Sequence, residues 1–259
     1  MKRIILALAG LLLAAAPARA EIKTQEMEYK QGDTTLQGFL AWDDAIKGKR
    51  PGVLVVHEWW GHNQHARNQA IRLAKAGYVG FSLDMYGKGK LATHPKDAMA
   101  FVQEATKDPA ITVARFKAAY ELLQKQPQVD PKDIGAIGYC FGGAVVLSMA
   151  ASGVDLDAVG TFHGAMPQVT PEKGKVKAQI LIQTGGADPM VTKDKVEGFE
   201  KALKDAGAKV EVVTYPDAKH SFTNPDADKA GMDGLAYNAD ADQKSWDKLL
   251  AFLKQVWKK

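Results

Sequence analysis

Gly138-Tyr139-Cys140-Phe141-Gly142-Gly143 is the stretch that most constrains this chain. Asp133–Ile137, just before it, reads as a short buried strand, and Ala144–Ala151, just after it, reads as a helix. A reactive side chain on a strand-to-helix turn, with a small residue two positions to either side, is the nucleophile-elbow arrangement, here with Cys where Ser is usual. Such a turn is so sharp that its flanks nearly touch, and a Cβ at 138 or 142 would crowd the approach. Cys140 is also the single cysteine of 259 residues, so no internal disulfide can form. A lone Cys can be a small buried hydrophobe, but burial alone does not call for an elbow. Cys140 is therefore assigned as the nucleophile.

The N-terminus has the layout of a secretory signal. Lys2 and Arg3 form a basic start, Ile4 to Ala16 an apolar run, and Ala18-Arg19-Ala20 a small-x-small cleavage site before Glu21. The run is short for a bilayer span, so residues 1–20 are expected to be removed and the remaining 239 to form a periplasmic or secreted protein. Cleavage takes away three basic residues and leaves 31 against 30 acidic ones. A chain so nearly neutral, with no basic cluster interleaved with aromatics, gives no footprint for nucleic acid. No partner is expected beyond a small-molecule substrate: a monomer, free of the membrane once the signal is cut.

From residue 21 to 50 the alternation in Glu26-Met27-Glu28-Tyr29 and Leu36-Gln37-Gly38-Phe39-Leu40 predicts an antiparallel pair around Gly32-Asp33. Gly52–Val56 is an unbroken apolar run, as expected of a strand covered on both faces. Further strands are predicted at Tyr78–Leu83, Leu156–Thr161, Ala178–Thr184 and Lys209–Tyr215. Helices are predicted around Ala66–Ala74, Lys96–Thr106, Val113–Gln126, Lys193–Ala206 and Ala239–Val256. This alternation predicts one α/β domain over 21–259, a mostly parallel sheet flanked by helices on both faces. Sites in such sheets form beyond the carboxyl ends of the strands. Glu58, Tyr86, Cys140, His163, Asp188 and His220 all fall just after one.

A thiol attacks as the thiolate and needs a base beside it. The elbow places Cys140 at a helix N-terminus, whose partial positive charge favours the anion. In hydrolases built this way the chain order is nucleophile, acid, His. Of the six histidines, His57, His62, His65 and His94 precede Cys140, and His163 precedes Asp188. Only His220 follows both. Asp217 competes with Asp188 as the orienting acid, but three residues from His220 it would have to fold back to reach the ring. The triad is Cys140–His220–Asp188. The loop His57-Glu58-Trp59-Trp60-Gly61 should lie beside the elbow, so the backbone N–H groups of Trp59 and Phe141 are the expected oxyanion hole. The plainer reading of Trp59 and Trp60 is ordinary burial, and of Glu58 an exposed acid. His57-Glu58 with His62 misses the His-Glu-x-x-His zinc spacing by one position and follows a strand instead of lying on a helix, so no metal is expected. The acidic residues from Asp226 to Asp242 do not space as a calcium loop and read as solvated loop and helix start.

Taken together, the 57–61 loop, Asp84-Met85-Tyr86-Gly87, the Cys140 elbow, Gly186-Ala187-Asp188 and His220-Ser221-Phe222 resemble the dienelactone hydrolase family, the carboxymethylenebutenolidases, over essentially the whole mature chain. The resemblance implies an α/β-hydrolase fold, a Cys–His–Asp triad without a cofactor, and Glu58 as a partner that helps deprotonate the thiol when substrate binds. It also implies a structural Asp84 and Tyr86 at the pocket rim. Trp60, Tyr86, His163 and Asn224 are the expected substrate contacts. The sequence departs from the family where substrate is chosen. The two arginines that hold a substrate carboxylate are missing: one position is Asn224, and Thr93–Glu104 has no Arg, with Lys96 as a candidate substitute. An ammonium is not a bidentate clamp. Two readings follow: a cysteine hydrolase of an ester or lactone, or a non-catalytic, redox-responsive binding protein on the same fold.

Overall fold

The computed structural model describes residues 21–258, so the expected signal at 1–20 lies outside the described residues. The elements, in order, are β1 (Ile22–Gln31), β2 (Thr34–Asp43), β3 (Arg50–Val56), α1 (Gln64–Lys75), β4 (Val79–Leu83), α2 (Pro95–Thr106), α3 (Pro109–Gln124) and β5 (Val129–Tyr139). They continue with α4 (Phe141–Ala151), β6 (Ala158–Phe162), β7 (Gln179–Gly185), α5 (Lys193–Asp205), β8 (Val210–Tyr215), a 3-10 turn (Ala227–Ala230) and α6 (Ala239–Val256).

One eight-stranded sheet runs in the order β1-β2-β4-β3-β5-β6-β7-β8. β1 pairs antiparallel with β2, and β2 with β4; every other pairing is parallel. This is the expected α/β-hydrolase architecture in a single domain. The antiparallel pair joins the sheet at β4, with β3 inside it, because the first crossover steps outward and the later ones step back past β3.

Alternation along the central strands divides the core. Leu54 and Val56 of β3 and Ala136 of β5 face a cluster made with α3, α4 and α5 (Phe116, Val146, Phe199). Val53, Val55, Ile137 and Tyr139 face the other side, against Leu73 of α1 and Trp246, Leu249 and Leu253 of α6. Side chains point to opposite faces with period two, so strands buried on both faces must be apolar throughout. Three helix starts carry side-chain caps: Asn63 of α1 accepts the Ala66 N–H (3.3 Å), Asp108 of α3 that of Ala110 (2.8 Å) and Asn238 of α6 that of Ala241 (3.0 Å).

The differences from the sequence reading are local. α3 begins at Pro109, four residues before the predicted start, because Pro is well suited to a first helical position and Asp108 caps it. β5 begins at Val129, and the ladder to β3 is interrupted between Pro51 and Gly52, where Pro51 has no N–H to give. The stretch from Asp226 to Asp242 becomes the 3-10 turn and the first turn of α6, with Asp242 bound to Arg72 at 2.9 Å.

Candidate active site

The elbow lies at the centre of the sheet, between β5 and α4. Cys140 has φ 52° and ψ −115°, a left-handed backbone that an L residue enters at a cost of about 1–3 kcal/mol. A Cβ on Gly138 would sit 2.1 Å from the Gly142 carbonyl oxygen, and one on Gly142 would sit 2.3 Å from that of Val56. Both glycines are therefore required by close backbone approach. Neighbouring loops hold the turn: the Cys140 N–H donates to the Phe162 carbonyl (3.2 Å), and the Cys140 carbonyl accepts from Ala165 (3.1 Å). Cys140 is half-buried.

Asp188 follows β7 and His220 follows β8, and the backbone laces the two loops together: Gly186 N–H to Tyr215 O at 2.7 Å and Ala187 N–H to Ala218 O at 3.0 Å. His220 Nδ1 lies 2.8 Å from Asp188 Oδ2, with both side chains almost fully buried. The other carboxylate oxygen accepts the N–H groups of Met190 (2.7 Å) and Val191 (3.0 Å), which fixes its orientation. Asp217, the competitor, is not the residue bonded to His220. Nε2 of His220 is turned to the Cys140 sulfur but lacks standard hydrogen-bond geometry with any protein atom. Burial opposes charging the ring, but the Cys140 thiolate charge, the Asp188 hydrogen bond and the contact with the thiol outweigh it and raise its pKa to about 11.

The loop after β3 lies beside the elbow, because Val56 pairs with Gly138. Trp59, Cys140 and Phe141 border one cavity. Among the described residues the Trp59 N–H has no main-chain acceptor, and the Phe141 N–H opens α4, where no intrahelical acceptor exists. Two such donors beside a nucleophile can stabilise a developing oxyanion.

Glu58 is buried, not an exposed acid. Its carboxylate does not hydrogen-bond the thiol; Oε1 accepts from Ser221 Oγ (2.7 Å) and Oε2 from Asn224 Nδ2 (2.6 Å). Asn224, at the position of an absent arginine, is thus committed to Glu58. Tyr86 is fully buried, and its hydroxyl donates to the Trp59 carbonyl (3.1 Å), so it braces the loop and does not line the cavity. Asp84 organises its own turn, accepting from Tyr86 and Gly87 at 2.8 and 2.9 Å. Trp60 is half-buried against Trp59, ring centroids 4.9 Å apart. His163 is fully buried behind His220 in an edge-on contact of 5.1 Å and bonded to Thr223 Oγ1 at 2.9 Å. Burial, followed by the neighbouring His220 charge, holds its pKa well below the ordinary value. Ser221 was not anticipated: its hydroxyl carries no pattern in sequence, but its position next to His220 could have flagged it. Cys140, His163 and Ser221 are the non-glycine residues with positive φ among the described residues, and all three meet here. His57 and His62 serve the loop, bonded to the Glu58 carbonyl and to Ser82 Oγ.

The dienelactone hydrolase family model matches residues 36–257. The chain belongs to the dienelactone hydrolase family. It is 30% identical over 237 residues to Protein usf of Aquifex pyrophilus, a match covering 89% of this chain and 98% of that one. Among solved structures it resembles a dienelactone hydrolase-like promiscuous phosphotriesterase from metagenomic libraries, with TM-score 0.87, 33% identity, and 92% and 99% of the two chains covered. It also resembles the structure named m3DLH, with TM-score 0.86, 35% identity and coverages of 91% and 98%. This family membership makes it a hydrolase of the ester and lactone type.

Proposed function

We propose that this member of the dienelactone hydrolase family is a cysteine-dependent hydrolase of an uncharged ester or lactone. The observation that carries this reading is the buried 2.8 Å His220–Asp188 contact with the far ring nitrogen turned to a thiol on a strained elbow. Cys140 attacks the carbonyl carbon, and the N–H groups of Trp59 and Phe141 hold the oxyanion. His220, oriented by Asp188, passes its proton to the leaving oxygen. Water then attacks the thioester, gives its proton to His220, and releases the acid and the thiolate. The chemistry needs no cofactor. Glu58, held by Ser221 and Asn224, lies within the same loop as Trp59 and fixes that loop for substrate.

The test is hydrolysis of a panel of esters and lactones by wild type and Cys140→Ala. Loss of at least a hundredfold in the variant is expected, and undiminished hydrolysis would sink the reading. Neutral phosphotriesters belong in the panel, since a 33% identical neighbour is described by that activity. Rapid alkylation of Cys140 without turnover of any substrate would favour the binding-protein reading. We further propose export: the basic start, apolar run and Ala-Arg-Ala site support cleavage after Ala20. N-terminal sequencing of the protein recovered from the bacterial periplasm or the medium should begin at Glu21.

A further inference from the structure

A cavity of about 660 Å³ opens at Cys140, within the range of a small-molecule site. One wall is a single face of α4 and its C-cap: Phe141, Ala144, Val145, Ser148, Met149 and the capping Ser152, at spacings of three and four. Ser152 lies eleven positions beyond Phe141, so at 1.5 Å per residue the groove runs about 16 Å from the thiol. Val102 of α2 and Val113 of α3 face it, and Pro167 and Val169 close one side. No residue lining it is charged. None of the basic residues around it lines it. Lys90 pairs with Glu104 at 2.7 Å, the Arg115 guanidinium donates to the Met85 carbonyl at 2.6 Å, and Lys96 is exposed outside the groove. A substrate carboxylate here would lose its water without gaining a counter-charge.

The direction of the groove assigns its occupant. His220 must hand its proton to the leaving group, so the leaving group lies on the His220 side of Cys140. The α3 wall of the groove packs over β1, β3, β4 and β5, with α2 against α3, whereas His220 comes from the loop after β8, on the other side of β5. The groove therefore leads away on the acyl side.

We propose that this groove is an acyl-chain subsite, and that the substrates are esters of unbranched, uncharged aliphatic acids of medium to long chain. The inference rests on the hydrolase reading for its chemistry, and on the groove alone for its selectivity. Burying each added methylene raises kcat/KM by at most about fourfold, until the chain outgrows the groove.

The experiment measures kcat/KM for para-nitrophenyl esters from acetate to hexadecanoate with wild type, Ser148→Phe and Ser152→Phe. Both serines line the groove, and neither is fully buried. Each variant's profile is referred to its own acetyl ester, so a general loss of folded protein cancels. Rates should climb with chain length in wild type. The climb should stop earliest in Ser148→Phe and later in Ser152→Phe, whose block lies one helical turn, about 6 Å, further from the thiol. A flat profile, identical cut-offs in the two variants, or preference for a carboxylated lactone would overturn the proposal. If wild type hydrolyses nothing, the hydrolase reading fails and N-alkyl iodoacetamides read the groove instead. In that reaction the Cys140 sulfur bonds to the methylene and iodide leaves. Labelling that quickens with alkyl length, with the same staggered cut-offs, sustains the subsite; labelling indifferent to length refutes it.

Discussion

Replacing Asp188 by Asn removes a charge from the centre of the site and leaves its frame standing. The Asn carbonyl can still accept from Met190 and Val191, as Oδ1 does now at 2.7 and 3.0 Å. The other oxygen, 2.8 Å from His220 Nδ1, becomes an amide nitrogen that can only donate. The ring must then accept at Nδ1 and carry its proton on Nε2, the nitrogen turned to Cys140. In that tautomer it cannot take a proton from the thiol, and an imidazolium would face a donor. With side-chain exposures of 4% for His220 and 0% for Asp188, water cannot replace the lost acceptor. The same change in serine-protease triads lowers kcat about ten-thousandfold. A thiol is partly ionised without help near neutral pH, so the expected loss here is about a hundredfold to ten-thousandfold. The assay is kcat/KM on para-nitrophenyl butyrate, with circular dichroism to verify that the variant is folded. A folded variant losing less than about tenfold would show that Asp188 does not orient the base.

Gly138→Ala places a methyl 2.1 Å from the Gly142 carbonyl oxygen. It should cost about 1–3 kcal/mol in urea unfolding and slow alkylation of Cys140, and a change under 0.5 kcal/mol would mean that the turn has room to relax. Asn224→Leu deprives the buried Glu58 carboxylate of a 2.6 Å donor and should destabilise by about 1–3 kcal/mol by the same measurement. His220 should keep its charge well above pH 8 in an NMR titration of the ring, and Cys140→Ala should lower its pKa by removing the thiolate. The sign for stability follows. The folded ring holds its proton to about 11 against 6.5 when unfolded, so its contribution is full below 6.5 and fades as pH rises toward 11.

The strand ends and the elbow were legible because their signals are local. Glycine at 138 is demanded by a contact four residues away, and the apolar runs of β3 and β7 report burial on both faces directly; the close approach of Gly142 to the Val56 carbonyl, by contrast, spans 86 residues. The pairing of His220 with Asp188 was legible from chain order, since each follows its own strand on the same edge of the sheet. The bonds of Glu58 were not. Its partners lie 163 and 166 residues away, and nothing local marks the Ser221 hydroxyl or the Asn224 amide as its donors. The family resemblance implies Tyr86 at the rim, yet the turn made by Asp84 points its hydroxyl to Trp59. The groove was equally hidden, because α2, α3, α4 and the 165–169 loop each contribute only part of its wall.

Intact-mass analysis after rapid quenching with a para-nitrophenyl ester tests most directly whether Cys140 is the nucleophile. The account predicts a transient mass increase of one acyl group, mapped to the peptide containing Cys140 and absent from Cys140→Ala. Turnover with no adduct at any time, together with a Cys140→Ala rate equal to wild type, would contradict it.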